Sequence, residues 1–366
     1  MGERIFVQGN EAIGWGALNA GCDAFFGYPI TPQNEATEWF AREFPKRGKV
    51  FVQSESETGS INMLFGAGVA GVRCMTSTSS PGWGLMQEGM SHMAAADLPC
   101  VIALVQRGGP GAGTTRHAQT DYNSVTRGGG QGDYKNIVLA PASAQETHDL
   151  MQLAFYLADK YRNPVIVLSD GILGQVREPI ELAIIDFGPL PEKDWALRGR
   201  DNQKDKGRRF IHSAPGLVPT AMGLNYNDWL AHARKKFKDM DSEVRYETYH
   251  DKDAELFLIA YGYPARSSEE AVNMAREEGL KVGLIRPITL WPFPSSIILE
   301  KALEGCRFLV VEDCLGQMND DVKYSVEGNA EVNLLSILDR HLPHDGGMLM
   351  PGRILEEIRR LLCAEK

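Results

Sequence analysis

Four short stretches hold side chains whose types and spacing are suited to chemistry. Tyr28-Pro29-Ile30-Thr31-Pro32 sets a hydroxyl between two prolines. Gln53-Ser54-Glu55-Ser56-Glu57-Thr58-Gly59 carries two carboxylates two residues apart. Thr78-Ser79-Ser80-Pro81-Gly82 supplies hydroxyls, and Gln106-Arg107-Gly108-Gly109-Pro110-Gly111 places a guanidinium before bare glycine backbone. A carboxylate can hold or orient a proton. A guanidinium presents a planar fork that matches a carboxylate ligand. In an extended segment Glu55 and Glu57 face one side, where joint burial sets their charges against each other. By spacing alone, Glu57 reads equally as an acidic first-turn residue of the next helix and as a catalytic acid. Arg107 reads as a surface ion-pair partner. Thr31 reads as a turn residue, because Pro32 disfavours helix there in any case.

The elements that must position these residues follow from periodicity. Apolar runs at 50–52, 72–76, 99–105, 137–139 and 164–168 alternate with helical patterns. Residues 145–161 place Leu150, Leu153, Ala154, Leu157 and Ala158 on one stripe. Strands alternating with helices predict a mostly parallel sheet covered on both faces. Such sheets bind ligands beyond the carboxyl ends of their strands. That rule collects Glu55, Glu57, the 77–82 hydroxyls, Arg107, residues 141–143 and Asp170-Gly171 at one edge, the expected site. The Gly- and Ala-rich residues 58–71 suit a tightly packed helix or close approach by another chain. Met86, Met90 and Met93, at helical spacing, read as core or as an apolar pocket wall. Arg116, His117 and Asp121 read as a solvated polar loop, and His92 as structural.

Composition shifts near Phe187. Residues 188–225, with the charged run 198–209, read as an irregular connection. A helix is expected over 227–240, with Arg234, Lys235, Lys236 and Lys238 forming a solvated basic face. A second α/β pattern has strands at 256–260, 282–285 and 308–311, and its first helix is expected to start after Ser267-Ser268-Glu269-Glu270. The expected division is 1–187, 188–250 as a connection with a helix, and 251–366.

The net charge of -10 argues against non-specific binding to nucleic acid or anionic membrane. No apolar run approaches the ~20 residues of a membrane span. The opening residues lack a signal-peptide pattern, so the expected location is the cytoplasm. None of the cysteines forms a Cys-x-x-Cys pair. They read as small buried hydrophobes and not as iron–sulfur ligands, so electrons from any redox step are expected to leave through another polypeptide. Gly108 to Gly113 is neither a P-loop nor G-x-G-x-x-G. No metal-ligand spacing or G-x-S-x-G elbow is present.

Taken in order, the four stretches resemble the alpha subunit of the 2-oxoacid:ferredoxin oxidoreductases, and the resemblance covers most of the chain. Arg286 to Pro294 and Val311 to Gln317 look like signatures of that family's second domain. The implied fold is α/β: a doubly wound parallel sheet of the pyrimidine-binding thiamine-diphosphate type, plus a transketolase C-terminal-like α/β domain. The implied cofactor is thiamine diphosphate. Glu57 matches the activating glutamate, which on the pyrimidine N1′ favours the imino form that deprotonates C2. Tyr28, Pro29 and Ile30 match cofactor contacts, Thr31 and Arg107 match substrate contacts, and Glu55 is a helper. No Gly-Asp-Gly followed by a metal-ligating Asn is present, so a partner beta subunit is expected to hold the diphosphate and Mg2+. Iron–sulfur clusters are expected only in partners, among them gamma and small ferredoxin-like subunits. The implied reaction converts a 2-oxoacid, coenzyme A and oxidised ferredoxin into acyl-CoA, carbon dioxide and reduced ferredoxin. Arg127 to Tyr134 and Glu243 to Glu247 resemble the 2-oxoisovalerate (branched-chain) subgroup. A 2-oxoglutarate or aromatic substrate is the alternative of the same chemistry, and a non-catalytic assembly subunit is the alternative of another class.

Overall fold

A computed structural model describes residues 3–199, 210–214, 225–338 and 347–363. Much of the charged run 198–209 and of the 188–225 connection therefore lies outside the described residues. The strands in chain order are β1 (Glu3–Gln8), β2 (Ala24–Gly27), β3 (Val50–Gln53), β4 (Cys74–Ser79), β5 (Cys100–Gln106), β6 (Ile137–Leu139) and β7 (Pro164–Asp170). They continue with β8 (Arg177–Leu182), β9 (Tyr246–Tyr249), β10 (Leu256–Ile259), β11 (Val282–Pro287), β12 (Thr289–Trp291), β13 (Arg307–Glu312) and β14 (Val332–Ser336).

The larger sheet has the order β12-β6-β7-β5-β4-β2-β3. Its strands are parallel except β12, which adds an antiparallel edge beside β6. The central strands β4, β5 and β7 are buried at every position. With helices on both faces, no position of β5 or β7 needs a polar alternation, which is why they read as unbroken apolar runs. The second sheet runs β14-β13-β10-β11-β9, parallel except for β9. β1 and β8 form a separate antiparallel pair.

The chain crosses between the sheets more than once. β12 lies between β11 and β13 in sequence, yet it joins the larger sheet. β9 joins the second sheet ahead of residue 251. One apolar core runs between the two sheets and contains Trp83, Met86, Met90 and Met93 from one unit and Phe257, Phe308 and Met318 from the other. The three methionines are fully buried there, as core.

Three further expectations are corrected. The strand expected at 72–76 is displaced to β4, so Thr76 to Ser79 carry their hydroxyls within the sheet. The helix expected after Ser267-Ser268-Glu269-Glu270 begins earlier, at Tyr263, with Pro264 in its first turn, where a missing N–H costs nothing. Gly262 precedes it at φ +65, and a Cβ there would lie 2.6 Å from Asp170 Oδ2. Finally, the basic face of the helix Tyr226–Met240 is not wholly solvated. Lys236 is buried, with Nζ 2.6 Å from Asp97 Oδ1, and His232 Nε2 lies 3.0 Å from Asp97 Oδ2. Removing one charge of a buried pair strands the other. Lys236→Met should therefore cost about 3 kcal/mol, read as a lowered melting temperature, and adding Asp97→Asn should restore most of it. A single variant as stable as the parent would contradict this.

Candidate active site

The carboxyl ends of the larger sheet set the geometry. After β3, Ser56 takes the N-cap of the helix Glu57–Val69, and its Oγ accepts from Gly59 N at 3.2 Å. The cap is thus filled by Ser56, and Glu57, at the first helical position, is free of it. Its side chain is buried at 5 % exposure, and among the described residues no hydrogen bond reaches its carboxylate. Gly82 shows how the carboxylate is housed: a Cβ there would lie 2.5 Å from Glu57 Oε1 and 2.2 Å from Thr78 Oγ1. The missing side chain lets the first turn of the helix Ser80–Ala95 pass against the acid. Glu55 is exposed. The two carboxylates therefore do not share a face, because the segment turns into a helix at Glu57.

Thr31 and Arg107 are brought together. Arg107 donates from Nη1 to Thr31 O at 2.8 Å and from Nη2 to Ala112 O at 2.7 Å. Its Nε is buried without a partner. Nε is thus an unspent donor, suited to an anionic oxygen. Thr31, Tyr28 and Pro29 are exposed and Ile30 is half-buried on the same loop, and Thr31 Oγ1 accepts from Asn34 at 3.3 Å. Ser79 Oγ, at the end of β4, is likewise buried and unpartnered.

Two residues not singled out by the sequence fix this loop. Gln33, fully buried, donates to Tyr28 O at 3.2 Å and accepts from Ser77 Oγ at 2.5 Å. Asn10 Nδ2 donates to Pro32 O at 2.7 Å. Gln33 is adjacent to the motif, which is a usable signal; Asn10 carries none. Asp170, expected at the site edge, is spent elsewhere. Its Oδ1 accepts from Ile172 N and Leu173 N, each at 3.0 Å, and its Oδ2 from Tyr263 N at 2.9 Å.

The loop holding Arg116, His117 and Asp121 is not solvated. Ala118, Gln119 and Asp121 are buried, and Arg116 and His117 are half-buried. Ser80 Oγ bonds to the Asp121 carboxyl and accepts from Arg107 N at 2.9 Å. Burial pushes the Asp121 carboxyl from 3.8 up to about 6, with the Ser80 hydrogen bond opposing the rise. The folded chain therefore holds this proton more tightly than the unfolded chain. The contribution is fully present below about pH 4 and is lost as pH rises through about 6, up to about 3 kcal/mol. Asp121→Asn should gain melting temperature relative to the parent between pH 4 and pH 7. A difference constant over that range would contradict the assignment.

Among the described residues, no three His, Cys, Asp or Glu side chains converge as a metal site. A cleft of about 510 Å³ lined by His92, Tyr134, Ser213, Tyr226 and Trp229 shares no residue with the site above. No helix among the described residues is long and apolar enough to cross a membrane.

Residues 15–255 match the family described as pyruvate flavodoxin/ferredoxin oxidoreductase, thiamine-diphosphate-binding, and residues 254–362 match pyruvate:ferredoxin oxidoreductase core domain II. The ketoisovalerate oxidoreductase subunit VorB of Methanothermobacter marburgensis is 45% identical over 97% of both chains. The 2-oxoglutarate synthase subunit KorA of the same organism is 39% identical, over 98% of this chain and 99% of its own. A solved 2-oxoglutarate:ferredoxin oxidoreductase from Magnetococcus marinus, holding 2-oxoglutarate, coenzyme A and succinyl-CoA, superposes with a TM-score of 0.84 at 28% identity. The match covers 98% of this chain and 65% of that one. A split-gene transketolase in an inactive tetramer shares the fold, with a TM-score of 0.59 at 15% identity.

Proposed function

The chain belongs to the pyruvate flavodoxin/ferredoxin oxidoreductase family, and from that premise we propose that it is the alpha subunit of a 2-oxoisovalerate:ferredoxin oxidoreductase. The reaction is oxidative decarboxylation of the 2-oxoacid to acyl-CoA and carbon dioxide, with electrons passed to ferredoxin. The observation that carries this reading is the buried Glu57 carboxylate without a hydrogen-bond donor, at the sheet edge where Thr31 and Arg107 meet. A carboxylate that no described residue donates to, on a largely buried side chain, is available to a ligand. Its fit is to a pyrimidine ring nitrogen that shares a proton with it.

When bound, thiamine diphosphate supplies the carbanion chemistry that no side chain offers. Glu57 holds the shared proton at the pyrimidine edge, and its rigid seat against Gly82 keeps it in place. Arg107, whose Nε has no partner among the described residues, receives the oxoacid carboxylate and orients it. Thr31 adds a hydroxyl beside Arg107. Tyr28, Pro29 and Ile30 border the cofactor from the same loop.

The diphosphate and Mg2+ belong to a partner beta subunit in this reading. Support comes from the helix Glu57–Val69, whose outer stripe exposes Thr58, Asn62 and Gly66. A Cβ on Gly66 or Gly84 would meet nothing, so small residues leave room for a second chain beside Glu57. Iron–sulfur clusters are assigned to partner subunits because all cysteines but Cys363 are buried in this chain. The branched-chain substrate is favoured over 2-oxoglutarate by the higher identity to the ketoisovalerate enzyme.

The test is coenzyme-A-dependent reduction of a viologen dye by the chain assembled with its partner subunits. The substrates are 2-oxoisovalerate, 2-oxoglutarate, pyruvate and an arylpyruvate, each with and without thiamine diphosphate. Thiamine-dependent activity greatest with 2-oxoisovalerate is expected. Preference for 2-oxoglutarate would move the assignment to the alternative. Inactivity of a cluster-loaded complex would favour the assembly-subunit reading.

A further inference from the structure

We propose that His117 is a positioning residue through which the second sheet sets the pose of the Arg107 loop. The proposal rests on the reading that Arg107 binds the oxoacid carboxylate. The loop from 107 to 121 starts at Arg107 and continues through Gly108, Gly109, Gly111 and Gly113, the last two with φ of +69 and +59. Within it, Gly108 N donates to Arg116 O at 2.9 Å and Thr114 N to Gly108 O at 2.8 Å. Arg107 Nη2 bonds Ala112 O, Arg116 N donates to Thr114 Oγ1 and Thr120 Oγ1 to Arg107 O, but the glycine-rich backbone still carries high entropy of its own. Contacts from outside the loop complete its geometry.

These contacts come from the carboxyl end of β13. Gln119 N donates to Asp313 O at 2.8 Å, and Asp313 N donates back to Gln119 Oε1 at 2.9 Å. Gln317 Nε2 donates to Thr120 O at 2.7 Å. His117 Nδ1 lies 2.6 Å from Asp313 Oδ2, and Tyr263 donates its hydroxyl to the same oxygen at 2.8 Å. The His117 and Tyr263 rings meet edge to face at 5.4 Å. Burial, then the neighbouring Asp313 charge, push the Tyr263 phenol up, so it stays a donor. On its other side His117 faces Gly171, across which lies the Thr31–Pro32 turn. A Cβ added at Gly171 would lie 3.5 Å from both His117 Cβ and Pro32 Cγ. His117 is therefore tied to the second sheet on one side and, across Gly171, neighbours the turn whose carbonyl Arg107 grips. Losing the His117–Asp313 contact loosens the loop on the Arg107 side of Gln119, whose own bonds to Asp313 remain, without removing any group that meets the substrate.

The test uses the assembled complex and separates KM from kcat. His117→Ala should raise KM for the 2-oxoacid about tenfold. KM for coenzyme A and for ferredoxin should stay within about twofold. His117→Asn, whose amide nitrogen falls at the Nδ1 position, should restore most of the loss. Asp313→Ala should reproduce it, and the double variant should add nothing further. A KM for the oxoacid unchanged in His117→Ala, while Arg107→Lys raises it, overturns this proposal and leaves the function intact. A uniform fall in kcat with a lowered melting temperature, without rescue by Asn, also overturns it, because His117 would then be plain packing. If Arg107→Lys leaves KM unaltered, the reading of Arg107 fails first, and this proposal with it. Should His117→Ala fail to assemble, Tyr263→Phe removes one donor at constant shape, and the same KM shift, smaller, is expected. No shift in that variant counts against the proposal.

Discussion

Glu57→Gln in the assembled complex should lower turnover by about 10²- to 10⁴-fold, with the complex still formed and as stable as the parent. Gln has the shape of Glu, so the seat against Gly82 and Thr78 is kept. No described residue donates to the Glu57 carboxylate, so the change breaks no hydrogen bond of the fold. With no hydrogen bond of the fold lost, the melting temperature should hold. What it takes away is the ability to hold a proton at the pyrimidine edge. Dye reduction at saturating substrate reads turnover, and calorimetry reads stability. Turnover within tenfold of the parent would remove Glu57 from the mechanism. A large loss accompanied by a falling melting temperature would mark the residue as structural.

Arg107→Lys should cut kcat/KM for the 2-oxoacid by about 10²-fold, mostly through KM. Hydrogen bonds to charged partners contribute about 1.5–3 kcal/mol each, and lysine loses the fork that makes two of them at once. Lysine keeps the positive charge, so long-range attraction of the anion survives and the loss isolates geometry. The ammonium is also a point donor that cannot span Thr31 O and Ala112 O as the guanidinium does. Initial rates over a range of 2-oxoacid, with coenzyme A and ferredoxin saturating, give the value. A parallel rise in KM for coenzyme A would mean that the loop had collapsed and that Arg107 does not serve the oxoacid alone.

Much of the larger sheet is legible without coordinates. β5 and β7 are buried on both faces, so they are apolar up to the polar residues that end them at the site edge. The helix Ala144–Tyr161 faces the core along one stripe, and its 3.6-residue period shows it. The rule that ligands sit beyond the carboxyl ends of parallel strands then groups Glu57 and Arg107, while Thr31 enters only through the resemblance, and the folded chain places Arg107 against it. Other features are invisible to local pattern. β12 leaves its sequence neighbours for the larger sheet. Lys236 looks like any exposed lysine until Asp97 meets it. The loop around His117 has a solvated composition, yet it is closed by Asp313, far along the chain.

The division has a physical basis. Period, turn chemistry and side-chain type are local properties, and they specify the order of strands and helices and the chemical kinds of group at the sheet edge. Whether Glu55 or Glu57 is buried depends on the residue at which the helix begins and on Gly82, a partner from another helix. Whether Asp170 serves a ligand depends on Tyr263 N of the second sheet's unit, which takes up its free oxygen. Hydrogen bonding and burial belong to pairs of groups distant in the chain, and only the packed chain brings those pairs together.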